Sequence, residues 1–296
     1  MNKDKIKHYV YTIGKSLGLA GLLYVIYRLS QEYTFSSFTQ QFILLLDIMP
    51  ILIILNVVSI IIGIFAWHIM LKHYANRSFP FLASYYYFSK TEIAKYLPGN
   101  IFHFIGRQAL ASKIGISQVE MAKISLLLSF LLLTGTVLTS TFFAFLSEET
   151  PVLILTVMGI SSISVLISLI YLYSSFPLSK KVSMNIYLAL SIALQGILLG
   201  MIVMYQSEYF SASLFFLCVS IYTVSWLIGF VTPGASGGLG VREGTFIAIV
   251  SYLHVDIPTD IIIFSVLLVR LINIIVDVGL YLSTLMLENK IKGIKI

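Results

Sequence analysis

The stretch Thr232-Pro233-Gly234-Ala235-Ser236-Gly237-Gly238-Leu239-Gly240-Val241-Arg242-Glu243-Gly244 decides how this chain is read. It holds five glycines, a proline and an Arg-Glu pair, and apolar runs long enough to cross a bilayer lie on both sides of it. Hydrocarbon does not tolerate unpaired backbone, so non-helical chain at that depth survives only inside protein or against a wet cavity. A broken, charged stretch between spans therefore marks a functional site.

The composition sets the frame. The chain has 296 residues, 58% apolar and only 11% charged, with a mean hydropathy of +0.95. Soluble domains carry about 25% charged residues. These values describe an all-α polytopic helical membrane protein, read as one transmembrane domain over residues 1–296 because no hydrophilic stretch is long enough for a second. The net charge of +6 needs no nucleic acid, since basic loops on the cytoplasmic side account for it. Cys218, the single cysteine, lies in an apolar run and offers neither a disulfide nor a cysteine metal site. His68, His73 and His254 show no ligand spacing, so no metal or other cofactor is expected.

Outward from the broken stretch, apolar runs near 13–29, 48–71, 121–146, 152–173, 184–205, 212–231 and 261–287 read as spans, with a short one at 245–253. Lys3, Lys5 and Lys7 precede the first run without a small-residue cleavage site, which predicts an uncleaved span. Residues 30–47 are polar and suit the outer side. Basic residues collect at the N-terminus, 72–77, 113–123, 180–181 and 290–295; acids collect at 32–47, 148–149, 208 and 256–260. The sets alternate if the segment from Arg242 to about Leu253 crosses outward as a short helix. The positive-inside rule then predicts about eight crossings in the cell (cytoplasmic) membrane, with both termini cytoplasmic.

Residues 80–112 do not read as a clean span. Phe81 to Phe88 is aromatic-rich, and Lys90, Glu92 and Lys95 follow at helical spacing, as a helix-face pair or a cavity rim. Lys95-Tyr96-Leu97-Pro98-Gly99-Asn100-Ile101-Phe102-His103-Phe104-Ile105-Gly106-Arg107 comes next. The Pro-Gly pair predicts a helix ending near Leu97 and another starting after Asn100, a re-entrant helical hairpin. Arg107 stands nine positions after Pro98, and Arg242 nine positions after Pro233. Each arginine is followed by a short segment, a hinge and a long span, and charge sends those two spans in opposite directions. Broken motifs at 95–117 and 232–258 thus follow the pattern of an inverted-topology repeat, against chance recurrence of a common dipeptide.

The first motif, with Gly115-Ile116-Ser117 after it, resembles the first signature of the lysylphosphatidylglycerol synthase transmembrane-region family of flippase-like membrane proteins. Gly237-Gly238-Leu239-Gly240-Val241-Arg242-Glu243-Gly244 resembles the second. The order of the two signatures and the helical plan extend the likeness over nearly the whole chain. The resemblance implies a lipid flippase or lipid-handling transporter. The family's aminoacyl-transferase domain has no counterpart here, so transferase activity is not expected. Stand-alone relatives belong to surface-glycan or lipid-modification systems. The partners implied are a phospholipid or a polyprenyl-phosphate-linked glycan, with a second copy or an enzyme of such a system as a protein partner. A non-transporting subunit of such a system is the alternative function.

The residues suggest how a headgroup would be held. Helix N-termini at the breaks present free amide donors and partial positive charge, and Arg107 and Arg242 add planar forks suited to phosphate. The candidate substrate-binding set is Pro98, Gly99, Asn100, His103 and Arg107 from the first motif, and Gly237, Gly238, Gly240, Arg242 and Glu243 from the second. Arg270, Asn273 and Asp277 join them, at i, i+3 and i+7 on one helix face. Glu243 or Asp277 would partner Arg270, and Glu243 alternatively meets a cationic headgroup. The bland alternative is that these charges only brace broken helices. Asn56 and Gln195 read as interhelical hydrogen bonds, and Trp67 and Trp226 as interface anchors. Gly234-Ala235-Ser236-Gly237-Gly238 also matches G-x-S-x-G, but a serine elbow needs a strand–turn–helix setting. A rhomboid-like intramembrane protease needs a histidine near Ser236, and His254 is the only one downstream. No catalytic residue is assigned.

Overall fold

The structure is a computed structural model that describes residues 23, 35–74, 79–97, 101–171, 176–207 and 211–292. Every regular element among them is a helix: α1 (Phe35–Leu44), α2 (Met49–Tyr74), α3 (Phe81–Glu92) extended by a 3₁₀ turn (Ile93–Tyr96), α4 (Phe102–Ala111), α5 (Gln118–Leu146), α6 (Val152–Tyr171), α7 (Leu178–Gln206), α8 (Ala212–Val231), α9 (Val241–Tyr252) and α10 (Thr259–Lys292). Six of these, α2, α5, α6, α7, α8 and α10, are long and apolar enough to cross a membrane. The chain is an all-α, multi-pass membrane protein. Local chemistry sets the helix starts. Pro80 and Pro177 stand as N-caps of α3 and α7. Ser117 and Glu120 form a capping box on α5, and Ser211 caps α8 through Leu214 N–H at 2.9 Å.

Two apolar clusters lie toward opposite ends of the bundle. One gathers Leu45, Leu52, Leu198, Ile202, Phe246, Val250 and Ile261. The other gathers Leu71, Phe79, Ala111, Ile114, Leu127, Phe176 and Met184. Phe79 precedes α3 and Ala111 ends α4, so both arms of 80–112 start and finish in the second cluster. The described parts of the segment, α3 and α4, form the two arms of a helical hairpin. The first cluster adjoins the acidic end: Gln41 donates to Asp260 at 2.9 Å. At that same acid-rich set of loops, Ser213 accepts from Glu148 N–H at 2.9 Å. The second adjoins the basic end, where His73 stacks edge-on to Phe176 at 4.3 Å. Loops that carry the same charge sign thus meet at the same end.

Several expectations change. Of the first span near 13–29, all but Leu23 lies outside the described residues. Part of the polar segment 30–47 is a helix, α1. α9 holds 12 residues, about 18 Å at 1.5 Å per residue, against a hydrocarbon core of about 30 Å. It runs from the interior to the acidic end and does not cross the bundle alone. Lys181 is not a loop residue: it is buried in the first turn of α7 and donates to Ile170 O, near the end of α6, at 3.2 Å. Asn56 and Gln195 make the expected interhelical bonds, Asn56 Nδ2 to Asn273 Oδ1 at 2.6 Å and Gln195 Nε2 to Ser59 Oγ at 3.1 Å. Cys218 is buried.

Candidate functional site

Both breaks have the same local cause. A proline disfavours the helical region for the residue before it. Leu97, before Pro98, sits at φ −70°, ψ 147°, and Thr232, before Pro233, at φ −78°, ψ 108°. α3 and α8 therefore stop there. After the second proline, Gly237 (φ 54°) and Gly238 (φ 74°) turn the chain through left-handed backbone that side chains resist. α9 then starts at Val241, where Glu243 reaches back to accept Gly240 N–H at 2.7 Å.

The two breaks meet. A Cβ on Gly237 would lie 3.4 Å from Arg270 Nη2, 3.6 Å from Lys95 O and 3.7 Å from Tyr96 Cδ1. The left-handed backbone at Gly237 (φ 54°) brings the second break into van der Waals range of the first. Beside this contact is a cavity of about 170 Å³, room for on the order of ten waters. Its walls include Ser59 and Gly63 of α2, Ser191 and Gln195 of α7, and Asn273 and Asp277 of α10. Those positions fall near the middle of three spanning helices, between the two apolar clusters. The cavity is therefore at mid-depth.

Its charges form a linked set. Arg107 Nη2 meets Glu92 Oε2 at 2.9 Å. Lys95 Nζ lies 3.5 Å from Glu92 Oε1 and 2.9 Å from Asp277 Oδ2. Tyr96 Oη donates to Asp277 Oδ2 at 2.6 Å. Arg270 Nη1 donates to Glu243 Oε1 and to Gly237 O, each at 3.1 Å. Four cations thus face three carboxylates, and Arg242 is the cation with no ion pair among the described residues.

Arg242 is instead held by shape. Its guanidinium lies 4.8 Å from the Trp226 ring, and its stem fills a slot that a Cβ on Gly229 or Gly238 would occupy. Arg107 has a matching arrangement, 4.9 Å from the Trp67 ring. Cation–π contacts of this kind are worth about 0.5–2 kcal/mol and leave the N–H edges free to donate. The Nε atoms of Arg107 and Arg242 and the Nδ1 of His103 are buried with no hydrogen-bond partner among the described residues. Buried donors of this kind are normally satisfied by water or ligand.

Of the residues expected from sequence, His103, Arg107, Gly237, Arg242, Arg270, Asn273 and Asp277 line the cavity. Gly238 and Gly240 shape its backbone, and Glu243 sits behind it, holding Arg270 and the start of α9. Pro98, Gly99 and Asn100 lie outside the described residues, as does the side chain of Ser236. His254 stands past the far end of α9, about 18 Å of helix from the break. The interface-anchor reading of the tryptophans is wrong. Trp67 is buried beneath Arg107, and Trp226 lines the cavity beneath Arg242, because each ring finds a cation inside the bundle. Glu92 and Lys95 are cavity-wall charges, whereas Lys90 turns away to Tyr86 Oη at 2.7 Å. Tyr96 is the participant the sequence did not flag. Compared with known proteins, the chain matches no family model and no curated protein.

Proposed function

We propose that this protein is a lipid-handling transporter, a flippase that binds an anionic lipid headgroup between its two broken motifs and moves it between leaflets. One observation carries the reading: a polar cavity at mid-depth in a membrane protein holds one more cation than anion, and the excess cation, Arg242, starts a helix at the junction of both breaks. A headgroup phosphate supplies the missing charge, and arginine's fork accepts its oxygens in pairs. Leu97, Ile101, Ile105, Val231 and Leu239, beside the two breaks, are exposed apolar residues. Such surface suits acyl chains while the headgroup sits inside. The resemblance of the two motifs to the lysylphosphatidylglycerol synthase transmembrane region supports the same reading. So does the repeated order of helix, break, short arginine-bearing helix, hinge and long helix. By the positive-inside rule the basic end faces the cytoplasm of a cell membrane.

The test is transport of fluorescent phosphatidylglycerol in proteoliposomes by native protein and by Arg242→Gln. We expect native protein to accelerate lipid movement and Arg242→Gln to lose roughly tenfold or more of that rate. Unchanged movement in folded Arg242→Gln protein refutes the phosphate site. Binding without movement by native protein points to the non-transporting subunit instead.

A further inference from the structure

Resting on that reading, we infer that the cavity selects lipids by charge: it takes a headgroup whose phosphate is accompanied only by neutral hydroxyl groups, and it rejects headgroups that also carry an amine. The argument is the occupancy of the carboxylates. A cationic headgroup needs a carboxylate to receive it, because an unpaired ammonium buried in a protein is costly. Each acid of the site already balances a protein cation. Glu92 is shared between Arg107 and Lys95. Asp277 takes both Lys95 Nζ and Tyr96 Oη on one oxygen, Oδ2. Glu243 spends one oxygen on Arg270 and the other on Gly240 N–H. An ammonium that joined one of these carboxylates would share it with a protein cation that the carboxylate already balances. The cavity would then hold a further uncompensated positive charge.

The rest of the wall is neutral and polar. Ser59, Ser191, Gln195 and Asn273 face the space alongside the charges. Ser59 donates to Ser191 O at 2.8 Å, and its oxygen accepts from Gln195 Nε2 at 3.1 Å and lies 3.3 Å from Ser191 Oγ. Hydroxyls and amides both donate and accept, as glycerol or sugar hydroxyls require. Selection thus arises from repulsion and lost ion pairs as much as from attraction.

The chain has two tryptophans, and one of them lies under Arg242. A Trp67→Phe protein therefore reports on Trp226 alone. In phosphatidylcholine nanodiscs, its emission would be titrated with phosphatidylglycerol, phosphatidylethanolamine, aminoacylated phosphatidylglycerol and soluble glycerol phosphate. We expect phosphatidylglycerol to act at about tenfold lower mole fraction than either amine-bearing lipid, as loss of one charged hydrogen bond implies. Arg242→Gln, followed by native mass spectrometry of bound lipid, should abolish the preference. Equal or tighter binding of the aminoacylated lipid overturns the inference while leaving lipid movement intact as a function. A preference for phosphatidylglycerol with no transport of any lipid upholds charge selection and removes the flippase reading. Binding of glycerol phosphate alone, with no response to any lipid, overturns both.

Discussion

Replacing Gly229 by alanine tests whether Arg242 is placed by its slot. Gly229 lies inside α8, where alanine normally gains about 0.5–1 kcal/mol over glycine. Here the added Cβ would fall within the van der Waals shell of Arg242 Cγ, 3.0 Å from its Nε and 3.2 Å from its Cδ. Forcing a methyl into such a contact costs about 1–3 kcal/mol if nothing moves. The cheaper response is for the flexible arginine to swing off Trp226, forfeiting about 1–2 kcal/mol of cation–π contact. The two routes leave stability nearly level but carry the guanidinium out of the cavity. Lipid affinity should then fall by about ten- to a hundredfold, the value of one charged hydrogen bond. Trp226 emission in the Trp67→Phe background should shift at the same time. Gly279→Ala is the control, since nothing lies within 4 Å of a Cβ there. Combining Gly229→Ala with Arg242→Gln should add no further loss if both act through the same group. Native affinity and unchanged Trp226 emission in Gly229→Ala would refute the reasoning.

Other perturbations address the remaining links. Asp277→Asn removes the anion between Lys95 and Tyr96 and should destabilise the folded protein by about 2–3 kcal/mol, less than for a fully buried pair because Lys95 is partly exposed; thermal unfolding in detergent measures it. Glu243→Gln keeps an acceptor for Gly240 N–H but withdraws the charge from Arg270, so Tm should fall by roughly 5 °C, and Glu243→Ala by more. An Asn56/Asn273 double-mutant cycle should give a coupling of about 0.6 kcal/mol, the usual strength of an interhelical hydrogen bond in membranes. Gly237→Ala strains a left-handed position, the new methyl resting in ordinary contact with Tyr96; a loss of about 1–2 kcal/mol is expected by the same unfolding measurement.

The six spanning helices were legible because each obeys one rule: a continuous apolar run of membrane length. Met49–Tyr74, Val152–Tyr171 and Ala212–Val231 begin or end within a few residues of where hydropathy places them. The breaks were legible too, since the proline effect on Leu97 and Thr232 is local. The stripe Arg270, Asn273 and Asp277 followed from helical periodicity, and all three line the cavity. Partnership was not legible. Trp67 lies forty residues before Arg107, and no sequence signal distinguishes a ring that anchors at an interface from one that lies under a buried cation. Glu92 and Lys95 stood undecided for the same reason, because their partners Arg107 and Asp277 come from other elements. The burial of Lys181 escaped because a lysine beside a span end ordinarily marks a loop.

Why two broken helices should meet at mid-depth follows from what each supplies. The hairpin α3–α4 enters from the basic end and α9 descends from the acidic end, so their tips oppose one another at Gly237 and Tyr96. Lys95 and Tyr96 bind Asp277, which ties the first motif to α10, while Arg270 ties α10 to Gly237 and Glu243 of the second. α10 is thus the common post to which both motifs are latched by polar contacts. Apolar contacts have no hydrophobic preference for protein over lipid chains at this depth, so such latches carry disproportionate weight in fixing the arrangement. Moving a headgroup from one leaflet to the other requires one motif to release while the other holds. The Lys95–Asp277–Tyr96 latch and the Arg270–Glu243 latch are made of different hydrogen bonds and ion pairs, and the Arg270 guanidinium lies 6.0 Å from the Tyr96 ring between them. Asp277→Asn and Glu243→Gln should therefore slow or bias opposite half-steps of the proposed cycle. Lipid entry measured separately from each leaflet is the assay, and identical changes in both variants would contradict it.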